Sequence, residues 1–455
     1  MAGGDGKIGM ASCVALVIGA SVGSAIFSLS GLTIYFAGAS AVLSWVIAAA
    51  VFSLYGMLVA ELAVRYPRSG GIYLFPRMVI GGRWGTLAGF VSGWGYIVSN
   101  TVAIGFTAMY IGRYLLAGIP ALTGLEAADV ICNGGPLSAA LSAVSVLAVL
   151  FLLLRGGRLS QAVQDLLVLV LIATIVVFCA AAFLGGHFHT DNFRNFFGGG
   201  VSGNTGFLSS VPLALVAYGG AVALPFLASE IRRPEKNIHR SLLAGLLAVA
   251  LIYVALVLAI LGNLPMEVLR DKAGVRLLPL FASVTDGHLS VCPWLIPVLS
   301  LSGLIALLTT VIALLKVNSK ALQVMSEEGC LPAVFSLENK AGASWVSLAL
   351  MSALSVLMCF FPDFTAGLIL MGAVLNVVSM TVTVVSLMIS RRKFTSYRGY
   401  RAPFGFLLPV AVLAVFWVCY LPDLLAGTKE VWLFSAVVYA VGLLVFLMMR
   451  RRGGR

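Results

Sequence analysis

Long apolar runs alternate with short polar, basic or glycine-rich interruptions along the whole chain. About twelve runs approach or exceed the ~20 residues that a helix needs to cross a bilayer. They centre on residues 9–35, 39–64, 84–117, 136–155, 162–184, 205–229, 241–263, 291–322, 344–361, 364–390, 403–421 and 431–449. In hydrocarbon only a helix or a closed barrel satisfies its own backbone, so each run reads as a spanning helix. The expected fold class is an all-α polytopic membrane protein with about 12 transmembrane helices. The first run is too long, and its polar head too weakly basic, for a cleaved signal peptide, and it counts as span one.

Two spans break their own pattern. Span one carries Gly19-Ala20-Ser21-Val22-Gly23-Ser24 in its middle. Glycine weakens a helix and serine offers the backbone other partners. One reading is a broken helix whose freed N–H and C=O groups hold a small polar substrate at the midplane. The other is a Gly-x-x-x-Gly face for close helix packing. Span six repeats the device five spans later with Ala217-Tyr218-Gly219-Gly220 and then Pro225. Paired discontinuous helices at this interval are what an inverted five-plus-five repeat requires, over about 9–184 and 205–390. That assigns 1–390 to a transporter core and 391–455 to two additional helices with a basic tail.

Composition agrees. The chain has 455 residues, 60% apolar and only 10% charged, where soluble domains carry about 25% charged residues. The net charge of +12 could suggest nucleic acid, but its placement argues for topology. With twelve spans and both termini cytoplasmic, 23 of the 29 Lys and Arg fall on the inner side. That is the positive-inside bias, with some attraction to anionic lipid added. The expected partners are the lipid bilayer and a small-molecule substrate, with no nucleic acid; a homodimer is left open. Seven cysteines show no metal-like spacing. Cys132 and Cys292 both fall near the outer face, which leaves a disulfide open. His187 and His189 in the loop at 185–204 lack further ligands, so neither metal nor cofactor is expected.

Polar residues inside the spans mark other candidates. Span three carries Ser99-Asn100-Thr101, which read either as interhelical glue or as a substrate wall. Asp165, near the start of span five, is expected to pair with a loop arginine. Lys316 and Lys320 share a face one turn apart near the end of span eight. With Glu61 they are candidates for inner ion pairs, either snorkelling to the interface or forming a gate. Thr309 and Thr310 would be needed for a sodium site beside the break in span one. The segment 264–290 reads equally as an outer lid helix or a solvated loop.

Three motifs carry a specific resemblance. Glu61-Leu62, then Pro67-Arg68-Ser69-Gly70-Gly71-Ile72-Tyr73, follows span two. Glu230-Ile231-Arg232-Arg233-Pro234-Glu235-Lys236-Asn237-Ile238 follows span six, and Asn318-Ser319-Lys320 with Glu327-Glu328-Gly329-Cys330-Leu331-Pro332 closes span eight. Together with Gly23-Ser24-Ala25-Ile26-Phe27 they resemble the amino acid/polyamine/organocation (APC) transporters, and two shorter stretches resemble the basic amino acid/polyamine antiporter branch. The resemblance implies a LeuT-like 5+5 inverted repeat in a bacterial inner (cytoplasmic) membrane, and secondary transport rather than enzymology.

It also implies substrate contacts at Gly19, Ala20, Ser21, Gly23, Ser24, Asn100, Ala217, Gly219 and Gly220, with Tyr218 as a gating ring. Two departures bear on cargo and coupling. Where arginine/agmatine antiporters carry a glutamate, a tryptophan and an asparagine, this chain has Val222, Val216 and Ala20. Where some proton-coupled relatives place a lysine after the equivalent of Asp165, it has Leu171. The expectation is an amino acid exchanger for neutral or basic cargo. A proton- or sodium-coupled symporter, and a sensor or channel on the same scaffold, stay open.

Overall fold

Sequences this apolar form helices in a bilayer because every backbone group must find its partner within the segment. A computed structural model describes residues 8–117, 134–184, 188–263, 266, 295–394, 397, 399–426 and 429–453. It places a helix or a broken helix on every one of the twelve predicted runs. Cys132, Cys292, His187 and, apart from Met266, the segment 264–290 lie outside the described residues.

Span one is two helices, α1 (Met10–Ser21) and α2 (Ser24–Ala37). There follow α3 (Ala41–Arg65), α4 (Gly71–Ile80), α5 (Gly82–Ala117), α6 (Pro136–Leu154) and α7 (Gly157–Leu184). Span six begins as α8 (Gly206–Ala217) and continues as a 3₁₀ stretch over Gly219–Glu230. The rest are α9 (Pro234–Asn263), α10 (Leu295–Glu327), α11 (Trp345–Cys359), α12 (Pro362–Lys393), α13 (Leu407–Ala426) and α14 (Lys429–Gly453). Among the described residues nine helical stretches are long and apolar enough to cross a membrane. Four shorter apolar helices, Met10–Ser21, Gly71–Ile80, Trp345–Cys359 and Leu407–Tyr420, accompany them. The chain is an integral membrane protein.

Helix α4, between spans two and three, is an addition to the twelve predicted runs. Its last carbonyls, of Val79 and Ile80, accept hydrogen bonds from Lys393 Nζ at 3.0 and 3.1 Å, a cation placed where the helix dipole favours one.

Burial sorts the helices into two shells. Spans six and eight are 78% buried over their most apolar windows, against 17% for α14. The inner shell brings α1 against α9, α10, α7 and the 3₁₀ stretch, while α5 packs on α4, α6, α10, α11 and α12. Large apolar side chains on the outer shell, such as Leu147, Leu169 and Leu444, are more than half exposed. In a bilayer that surface meets acyl chains, which are as apolar as leucine.

Candidate functional site

Both predicted breaks are present and they touch. Helix α1 ends at Ser21; Val22 leaves the helical region, and Gly23 is extended (φ −133°, ψ −146°). The N-cap of α2 is Gly23, which has no side chain with which to cap the first turn, and the first N–H groups of any helix lack intrahelical partners. Span six breaks more gradually. Tyr218 closes α8, and the twelve residues after it run as 3₁₀ helix, with Leu227 off helical geometry. Runs that long are uncommon and mark strain or a hinge.

Close approach explains two of the glycines. A Cβ at Gly220 would overlap the carbonyl oxygen of Ala20, so the two breaks meet backbone to backbone. A Cβ at Gly23 would overlap the hydroxyl of Thr310 on α10. Gly19 serves the other predicted purpose, since its missing side chain admits Gln164 and Val168 of α7. The break of the one reading falls at Gly23 and the close helix packing of the other at Gly19.

Two hydroxyls bind carbonyls at the breaks, and one of them joins both. Thr310 Oγ1 donates to the Gly19 carbonyl at 2.8 Å and lies 3.4 Å from that of Val22. It reaches the break, as the sodium alternative required, and does so as a donor. Tyr253 of α9 offers its hydroxyl to the carbonyls of Ser21 at 2.5 Å and Ala217 at 3.0 Å, one from each break. Tyr253 escaped the sequence reading, because a single tyrosine in an apolar span gives no local signal of what it will bridge.

A cavity of about 100 Å³ lies beside the breaks. Its wall includes Ala20, Ser21, Gly23, Asn100, Ala217, Gly219 and Gly220, all expected, and Ser99, Ala103, Thr107, Val216, Thr310, Leu314, Asn376 and Tyr420. Gly19 stands behind the wall against α7, and Ser24 contributes its backbone to the first turn of α2. Tyr218 departs from the expected gating ring. Its side chain is fully buried away from the cavity, 5.9 Å from the Phe52 ring and 5.0 Å from that of Tyr253. The C-cap geometry of α8 turns it into an aromatic cluster with Trp45.

A helix N-terminus with free N–H groups facing helix C-termini can take an anion and a cation a few ångströms apart. The whole chain supports that assignment, since a family model described as amino acid permease matches residues 8–447. The chain belongs to the amino acid permease family. It therefore lies in the APC superfamily and is a transporter, not an enzyme. It is similar to the methylthioribose transporter of Bacillus subtilis (25% identity, 96% of this chain and 92% of the relative). It is also similar to the branched-chain amino acid permease BcaP of Lactococcus lactis (24%, 96% and 93%). The serine/threonine exchanger SteT of Bacillus subtilis matches at 28% over 56% of this chain and 54% of its own.

At the basic end of the permease Glu61 and the two lysines sit in separate ion clusters, where the sequence suggested that they meet. Glu61 is fully buried. It binds Arg65 at 2.9 Å, Arg391 of α12 through both oxygens, and the Ala402 N–H at 2.8 Å. Lys316 and Lys320 turn instead to Glu230, at the end of the 3₁₀ stretch, at 3.8 and 3.9 Å. The physical reason is that Arg65 and Arg391 already occupy both oxygens of Glu61, while α10 packs on the 3₁₀ stretch that ends at Glu230. Asp165 likewise meets Ser12 of α1 and Gln161 rather than an arginine.

The same end is closed by main-chain contacts. Ile8 N–H donates to the Glu230 carbonyl at 2.8 Å and Arg232 N–H to the Ile8 carbonyl at 2.9 Å. Ser69 meets Ser229 hydroxyl to hydroxyl at 2.6 Å. The motifs after spans two and six are thus halves of one contact.

Proposed function

We propose that the permease moves neutral amino acids by alternating access, exchanging one for another. The observation that carries this reading is the N-terminus of α2, opened by a glycine with no capping side chain, beside a cavity that two touching helix breaks help to wall. The substrate carboxylate sits on the N–H groups of the first turn of α2. Its ammonium faces carbonyls at the ends of α1 and α8, whose second lone pairs remain after Thr310 and Tyr253 have bound.

The wall decides between neutral and basic cargo. Family membership leaves it open, since the relatives' names run from methylthioribose to branched-chain amino acids and serine or threonine. Among the described residues of the wall there is no Asp, Glu, Lys, Arg or His. A cationic side chain would lose its hydration there without a counter-charge. For the same reason no carboxylate, imidazole or amine stands on the wall to carry a proton with the substrate, which favours exchange over proton symport.

The breaks belong to an inverted repeat over 9–184 and 205–390, with α13 and α14 outside it. The basic end and both termini face the cytoplasm across a bacterial inner membrane, as the positive-inside bias requires. With that end closed by the Ile8 and Ser69 contacts, and Val216 on the cavity wall still 39% exposed, this conformation is outward-facing.

Counterflow in proteoliposomes tests the proposal. Labelled neutral amino acid is expected to enter only vesicles preloaded with unlabelled amino acid. Equal uptake into empty vesicles under a proton or sodium gradient would replace exchange with symport. Unitary currents would indicate a channel, and binding without movement a sensor.

A further inference from the structure

The cavity holds more hydrogen-bonding capacity than an amino acid's backbone can use. With carboxylate and ammonium assigned to main-chain groups, three wall side chains are left over, from three different helices. Each has a buried polar atom with no partner: Ser21 Oγ on α1, Asn100 Nδ2 on α5 and Asn376 Oδ1 on α12. Ser21 itself is only 4% exposed. A buried donor or acceptor left unmade is costly, far more than a made bond gains. Three at one site are poorly explained by packing. Each amide carries both a donor and an acceptor, so a flip of either changes which atom is free and not what the pair offers.

What would satisfy them is a side chain that both donates and accepts. A hydroxyl or a carboxamide does so. An aliphatic side chain would displace water from the amides and leave them unpaired. A charged side chain would find no counter-charge among the described wall residues. Size narrows the choice further. The cavity of about 100 Å³ is small beside the roughly 300–1,000 Å³ of drug-sized ligand pockets, which favours the smallest side chains.

We propose that the cargo is a small neutral amino acid with a hydroxyl or carboxamide side chain, and that Asn100, Asn376 and Ser21 read that side chain. This rests on the substrate site proposed above and names its specificity. A site built around substrate hydrogen bonds rejects the analogue that lacks them far more strongly than an apolar pocket rejects an extra methyl.

The test uses pairs matched in size. Purified full-length permease in proteoliposomes is preloaded with L-serine, and counterflow of labelled L-serine is competed with serine against alanine and threonine against valine. The expected result is that each hydroxyl compound competes about tenfold or more better than its partner. In Asn376→Leu both ratios are expected to fall within about twofold of one. Ser21→Ala, a smaller change, gives the same reading if the first variant does not fold. Valine competing as well as threonine in the unmodified protein would overturn the proposal while leaving the substrate site standing. If none of the four competes and none is exchanged, the site reading fails and the specificity goes with it.

Discussion

The two breaks interrupt their spans by different means. In span one the helix stops within two residues, Val22 and Gly23, and restarts at once behind a glycine N-cap. In span six it loosens over twelve residues of 3₁₀ helix and never leaves helical geometry sharply until Leu227. The abrupt break concentrates free N–H groups at one point, which suits a carboxylate. The gradual one gives a lever that runs from the cavity to Glu230 at the basic end, where it meets Lys316, Lys320 and Ile8. In the proposed mechanism the first break takes the carboxylate and the second also carries the movement, while the Tyr253 hydroxyl bridges the two.

That contrast can be broken at named positions. Gly23→Leu should have the largest effect, because its side chain would enter the space of the Thr310 hydroxyl and the cavity beside it. Substrate binding should be lost while size-exclusion chromatography still shows folded protein; unchanged affinity would remove the first break from the site. Gly220→Ala should come next. Its methyl meets the Ala20 carbonyl, and overpacking of this kind costs about 1–3 kcal/mol. Gly219→Ala is its control, since a Cβ there meets nothing closer than Asn376 Nδ2 at 3.7 Å. A lower melting temperature for the first variant and not for the second is expected; equal shifts would deny the backbone contact.

Tyr253→Phe keeps the ring and removes the hydroxyl that serves Ser21 and Ala217. Losing it should destabilise by about 1–3 kcal/mol and weaken binding, read by thermal melts with and without amino acid. The smallest effect is expected for Thr310→Val, which preserves shape and gives up one hydrogen bond to Gly19, about 0.5–1.5 kcal/mol. A larger loss for Thr310→Val than for Tyr253→Phe would reverse the order of importance.

The breaks were legible in the sequence because glycine and serine stand out against valine and leucine, and that contrast survives without any knowledge of neighbours. Their shapes were not. Gly219, Gly220 and Pro225 announce an interruption in span six but do not say that it will spread over a dozen residues, which depends on packing against α1 and α10. Tyr218 was visible as an aromatic beside the break, yet the turn of one C-cap residue decides whether its ring enters the cavity or the cluster around Phe52. The lysines of span eight were legible as inner-end charges and their partner was not, because Glu230 reaches them only once helix order is known. Asn376 carried no signal alone; it becomes informative when its buried oxygen is found unpaired on the same wall as Asn100.

The central claim is that main-chain groups of the two breaks hold both ends of a zwitterion. The most direct measurement is equilibrium competition against a bound, radiolabelled amino acid by its decarboxylated amine and by its deaminated carboxylic acid. The account predicts that each loses about a hundredfold in affinity, roughly 3 kcal/mol, because each forfeits charge-assisted bonds at one break. An amine that competes as well as the parent amino acid would contradict the carboxylate site at α2, and with it the account.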